Sequence, residues 1–117
     1  MAYIKRFCGP YIYEIKNGEF KPYCGPVQYK ITDNCFGRFC GPYLFRFDGN
    51  KISPYCGPCI LEFDGRYIKR YCGPYIAEVV DNRYIKPYSG PYEYEVVGSL
   101  TREEWMGLIT LLYAGLF

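Results

Sequence analysis

The chain contains no histidine, a single tryptophan and two methionines among 117 residues. Without histidine there is no Ser-His-Asp arrangement, no mixed Cys/His zinc site, and none of the commonest general base. Charge of one sign is not in excess either: 14 basic residues face 12 acidic ones, for a net charge of +2. That balance does not by itself imply a polyanionic partner. No Gly-rich phosphate loop precedes a helix, and no carboxylate pair stands apart from the repeating charges. The segment Met1 to Cys8 enters a repeat directly, with no basic stretch, apolar run and cleavage site, so no signal peptide is expected. Seven cysteines without such a leader, and an odd number of them, are read as reduced thiols in a cytoplasmic protein.

What is present is aromatic and repetitive. Aromatic residues make up 21% of the chain, 15 of them Tyr, beside 50% apolar and 22% charged residues. Such a composition is globular and favours strands over helices. The length suits one domain spanning 1–117, divided into a repeat array over 1–98 and a C-terminal segment over 99–117.

Cys-Gly-Pro begins at Cys8, Cys24, Cys40, Cys56 and Cys72, sixteen residues apart, and Ser89-Gly90-Pro91 follows at seventeen. After each corner comes an alternating stretch, such as Tyr11-Ile12-Tyr13-Glu14-Ile15 or Tyr43-Leu44-Phe45-Arg46-Phe47. Its period of two is that of a half-buried strand. Asn17-Gly18, Asp33-Asn34, Asp48-Gly49, Asp64-Gly65 and Asp81-Asn82 then supply reversals that tolerate positive φ. A second strand returns to the next corner, where proline fixes φ and restrains its predecessor.

Two architectures fit a unit of two strands and two turns. In a β-solenoid or roll each unit is one coil, and equivalent residues stack about 4.8 Å apart. In an antiparallel hairpin meander or β-flower they lie two strands apart, about 9.6 Å. The Asx-Gly turns favour hairpins. Two residues before each corner Cys or Ser the sequence alternates Arg6, Pro22, Arg38, Pro54, Arg70, Pro87; a two-fold pairing of hairpins generates such a pattern too, but avoidance of stacked like charges tips the reading towards coils. The stretches Phe47-Asp48-Gly49-Asn50-Lys51-Ile52 and Phe63-Asp64-Gly65-Arg66-Tyr67-Ile68-Lys69-Arg70 resemble the aromatic-Asp-Gly-x-x-Ile-basic repeats of small bacterial β-repeat proteins, among them those called β-flowers. The resemblance implies a mainly β fold and carries no activity with it.

After Gly98 the alternation stops. Thr101 and Glu104 form a capping box, Leu100 and Trp105 a hydrophobic staple, and Gly115 a stop, which predicts a helix from about Arg102 to Ala114. At 1.5 Å per residue it is roughly 20 Å long, too short to span a bilayer. Trp105, Met106, Leu108, Ile109, Leu112, Tyr113 and Phe117 leave little polar surface, so a helix capping one end of a stack needs cover on its second face. Self-association through those residues, most simply as a dimer, is the expectation.

Cys56-Gly57-Pro58-Cys59 has the spacing of a thioredoxin-like pair, but Ile60 to Gly65 reads as strand and turn, whereas that chemistry needs a helix N-terminus. Small thiols filling tight corners are expected to be free and mostly buried. Rows at Tyr11, Tyr43, Tyr75 and Tyr92, beside Lys5, Lys21, Lys69 and Lys86, outline a platform for a glycan or a single-stranded nucleic acid. Core packing and pairing with Glu14, Glu62, Glu78 and Glu95 account for the same rows. No cofactor or metal is implied. The sequence thus points to a non-enzymatic structural or protein-interaction module, with glycan or nucleic-acid binding, then thiol or metal chemistry at the corners, as the alternatives.

Overall fold

A computed structural model of the chain describes residues 2–114. Twelve antiparallel strands follow one another around a closed barrel: β1 (Ala2–Arg6), β2 (Tyr11–Lys16), β3 (Glu19–Pro22), β4 (Tyr29–Thr32), β5 (Cys35–Arg38), β6 (Tyr43–Asp48), β7 (Lys51–Pro54), β8 (Leu61–Phe63), β9 (Tyr67–Arg70), β10 (Tyr75–Val80), β11 (Tyr84–Pro87) and β12 (Tyr94–Gly98). Every strand pairs with its neighbours in sequence, and β1 with β12 closes the ring from Ala2↔Gly98 to Arg6↔Tyr94. A helix, α1 (Arg102–Tyr113), completes the described chain.

This is not the stacked-coil solenoid. Equivalent residues of successive units lie two strands apart around a ring, and closure leaves no edge strand exposed. The Asx-Gly reversals govern the outcome. Asn17 and Gly18 have φ of 53° and 77°, Asp33 and Asn34 of 51° and 63°, the two positive angles of a tight hairpin turn matched to strand twist. The longer reversal Asp81-Asn82-Arg83 lies between the paired Val80 and Tyr84, and its extra residue accounts for the spacing of seventeen.

The Arg/Pro alternation, read from sequence as charge avoidance, has a different origin. At Arg6, Arg38 and Arg70 the backbone N–H donates to the carbonyl of Pro10, Pro42 and Pro74 at 3.2 to 3.3 Å. Just beyond, the register skips Ile12, Leu44 and Ile76 as bulges. Pro22, Pro54 and Pro87 have no N–H to make that bond. Their corners stay wider: Gln28, Ile60 and Glu93 donate to Phe20, Ile52 and Ile85 at 2.9 Å, and pairing resumes only at β4, β8 and β12. The structural unit is therefore two sequence repeats, and the barrel is pseudo-threefold.

Inward positions carry the core, including Ile4, Ile15, Phe20, Phe36, Ile52, Phe63, Ile68 and Ile85. Residues 104–111 of α1 are buried without interruption. Eight consecutive buried residues cover every face of a helix, so α1 occupies the lumen. Gly107 lies so close to one wall that a Cβ there would fall 2.6 Å from Ile31 Cδ1 and 2.7 Å from Phe20 Cζ. Trp105 meets Phe63 of another wall with ring centres 6.3 Å apart. The molecule measures 36 × 35 × 21 Å, and twelve helical residues, about 18 Å long, match its short dimension. The second face of the helix, for which a partner chain was expected, is covered by the strands of the same chain: Trp105, Met106, Leu108 and Ile109 are buried, Leu112 and Tyr113 half-buried. Phe117 lies outside the described residues.

The helix enters from the reversal end. Thr101 and Glu104 make the capping box in full, and Glu104 Oε2 also accepts from the Gly18 N–H at 3.0 Å. Arg102 donates to Asn50 Oδ1 and to the Phe63 carbonyl. Both contacts tie the helix N-terminus to the reversals around it.

Candidate functional site at the corner rim

Strict alternation of reversal and corner around a ring puts all six corners at one end. Each is a four-residue turn closed by a glycine N–H, as from Gly9 to the Arg6 carbonyl at 2.8 Å. The cysteine is the third residue, where positive φ is wanted: φ is 59°, 66°, 59° and 56° at Cys8, Cys24, Cys40 and Cys72. L-residues with a Cβ pay for that conformation, which suits glycine or asparagine. The five corner thiols are exposed, not buried as their small size suggests, because each stands at the tip of a turn beyond the last ladder pair; Cys56 is exposed without the left-handed backbone of the other four. Neighbouring corners lie about 9.6 Å apart, beyond the reach of a disulfide.

The rim is aromatic. Ten large apolar side chains are strongly exposed among the described residues, and all of them flank corners: Phe7, Tyr23, Phe39, Tyr55, Tyr71 and Tyr88 on one side, Tyr11, Tyr43, Tyr75 and Tyr92 on the other. On the outer wall six of them join the half-buried Tyr3, Tyr67 and Tyr84 in trios. Tyr3, Tyr11 and Tyr23 have ring centres 5.2 to 6.0 Å apart. Tyr67, Tyr75 and Tyr88 repeat the arrangement at 5.1 to 6.1 Å, and Tyr84, Tyr92 and Phe7 at 4.7 to 5.9 Å. The other three positions of the ring are mixed. By repeat alignment Cys35 falls with Tyr43 and Tyr55, whose ring centres are 5.6 Å apart, Cys59 with Lys51 and Tyr71, whose ring takes the Lys51 ammonium at 5.3 Å, and Glu19 and Val27 with Phe39. The two half-buried cysteines therefore fill places that Tyr holds elsewhere. This grouping of residues from three strands was not visible in the sequence; the signal was there as a repeat-aligned column five residues before each corner Cys or Ser and another three after it.

No family model, no curated protein and no solved structure matches the chain.

Interleaved with these aromatic groups runs a girdle of cross-strand ion pairs, with Glu14 beside Tyr3 and Lys5 beside Tyr11 in the ladder. Lys21 pairs with Glu14 at 3.3 Å, Lys86 with Glu78 at 3.4 Å, Lys5 with Glu95 at 3.7 Å and Lys69 with Glu62 at 3.8 Å. Arg66 and Arg83 add contacts to Glu78 and Glu95 at 3.1 and 2.8 Å. The Glu78 carboxyl is held below the usual range by the Arg66 hydrogen bond, with Lys86 adding to it against partial burial. The Lys row named in the sequence is thus paired, and the Tyr row of 11, 43, 75 and 92 is the exposed one. Burial, then the neighbouring Glu14, raises the Tyr3 phenol.

Inside the mouth of this end, Arg6 lies over the Tyr94 ring at 5.6 Å and Arg38 over Tyr29 at 5.7 Å, with their heads exposed. Burial lifts the Tyr113 phenol at the last turn of α1. Cys56-Gly57-Pro58-Cys59 lies between β7 and β8, with strand rather than helix after it, so no helix N-terminus activates Cys56. Among the described residues no three His, Cys, Asp or Glu side chains converge as a metal site.

Proposed function

We propose that the protein is a non-enzymatic interaction module whose contact surface is the corner rim. The observation that carries this reading is that, among the described residues, all ten exposed large aromatic side chains flank the corners at one end. Contiguous exposed apolar surface at that scale marks a site of association. Exposed thiols beyond disulfide reach of one another support a reducing, cytoplasmic setting. Self-association through the helix is not part of this reading, since Trp105, Met106, Leu108 and Ile109 are buried within the chain itself. The glycan or single-strand platform is supported by the same exposed Tyr. It is weakened by the way the trios pack on themselves, as in the stack of Tyr84 on Tyr92 at 16° between planes, which occupies faces a sugar or base would need.

The corner cysteines are built-in reporters. In purified protein a maleimide should label Cys8, Cys24, Cys40, Cys56 and Cys72 quickly without unfolding. Inside cells the same sites should label several-fold more slowly, because the partner covers them. Equal labelling in the two settings would refute the rim as the contact surface.

A further inference from the structure

We infer that the partner of the rim is the surface of an anionic lipid bilayer, on which the barrel sits flat with its corner end down. The inference rests on the rim being the contact surface, and adds what it contacts.

Charge is layered along the barrel axis. The corner end, between the two girdle rows, holds Arg6, Arg38 and Arg70 against Glu93 alone. The girdle rows, three residues before each corner Cys or Ser and four after each Pro, hold six basic and four acidic residues. The rest, at the reversal end and the helix entry, is five basic and seven acidic. The molecule therefore presents its positive half with its aromatic rim and its negative half at the far side. An anionic plane would attract one end and repel the other.

The side-chain types at the rim suit the same occupant. Tyrosine and phenylalanine settle at headgroup level, ring in the apolar boundary and hydroxyl in water. Arginine supplies attraction to anionic headgroups within a Debye length. Short strands and a near-constant repeat bring six corners to one end of a molecule 36 × 35 Å across and 21 Å deep, a shape fitted to a plane rather than to a peptide groove. The Lys–Glu girdle is interleaved with the outer-wall Tyr, Lys5 beside Tyr11 and Glu95 beside Tyr84 in the ladder, so only the corner tips can pass headgroup level, since a charged wall does not follow the rim into hydrocarbon. A second copy set rim to rim would oppose like charges. The exposed thiols agree with the reducing side of a membrane, whose leaflet carries the anionic lipids.

The test uses the full chain with phosphatidylcholine vesicles, with and without phosphatidylserine. Co-sedimentation is expected with phosphatidylserine at low salt, falling about tenfold or more as salt is raised through the Debye range. Maleimide labelling of Cys40 should slow on the vesicles, whereas a thiol placed at the far end by Asp33→Cys should not. Arg6→Gln, Arg38→Gln and Arg70→Gln together should remove the preference for phosphatidylserine. Tyr43→Ser with Tyr75→Ser should weaken binding about tenfold, both variants being checked for native near-ultraviolet circular dichroism. Failure to bind phosphatidylserine vesicles, protection of the far end, or binding that survives the triple arginine change overturns the inference. Corner thiols protected in cells but not by vesicles would sink the lipid and leave the rim as the contact surface. Thiols protected in neither would sink both.

Discussion

The two ends of the barrel are built from the same chain reversals and have opposite characters. At the reversal end, positive φ falls on Asn, Asp and Gly, residue types that accept it. Side chains there bind to the fold itself: Glu104 to Gly18, Arg102 to Asn50 and Phe63, Asp64 to the backbone of Arg66 and Tyr67. At the corner end, positive φ falls on cysteine at four of the six corners, aromatic rings are exposed, and the net charge is positive. One end is spent on holding the helix in the lumen. The other carries strain and exposed apolar surface that stability does not require, and such costs concentrate where a surface has work outside the molecule.

The comparison breaks most visibly at the helix. Gly107→Val places atoms where the wall of Phe20 and Ile31 already stands, and overpacking of this kind should cost on the order of 3 kcal/mol. Urea denaturation followed by tryptophan fluorescence would measure it. A second change, Phe20→Leu, should recover part of the loss by giving the added methyls room. An equally large effect from Thr32→Val, a near-isosteric change at an exposed position of β4, would mean that lumen packing is not what holds the ends apart.

Acid should act through the reversal end. The Asp64 carboxyl is held below its ordinary value of 3.8 chiefly by the Tyr67 N–H, with Arg66 adding to it against partial burial. A folded pKa below the unfolded one means that the stabilisation is complete above the unfolded value and lost as pH falls through the folded one. The urea midpoint should therefore drop between about pH 5 and pH 2 less steeply in Asp64→Asn than in the parent. Glu78, depressed by Arg66 and Lys86, adds to the same limb, so Asp64→Asn flattens it only in part. Parallel pH curves for the two proteins would remove Asp64 from the account.

The smallest effect belongs to the corners. Cys40→Gly relieves a left-handed residue but frees the unfolded chain, and the two nearly offset, leaving the protein unchanged or more stable by up to about 1 kcal/mol. Thermal melting measures this directly. A loss above that size would show the thiol side chain to be structural, and the contrast between the ends would shrink.

Much of this architecture was legible in local sequence. Period-two alternation marked the strands, Asn-Gly and Asp-Asn the hairpins, and Thr101 with Glu104 the start of the helix, because each depends on residues within a few positions of one another. The rim was half legible. Its aromatic columns repeat in the sequence, but which of them face water depends on the bulges at Ile12, Leu44 and Ile76, and those follow from the Arg/Pro alternation, which in the sequence alone looks like charge avoidance.

By itself, then, the sequence determined the strands, the turns, the helix and its cap, all products of backbone chemistry at short range. Tertiary structure alone decided that the units close into a ring, through β1 on β12. It also placed the helix in the lumen, since short antiparallel hairpins can pair onward indefinitely and only the space inside twelve strands, too wide for their own side chains to fill, makes an all-round apolar helix the natural core.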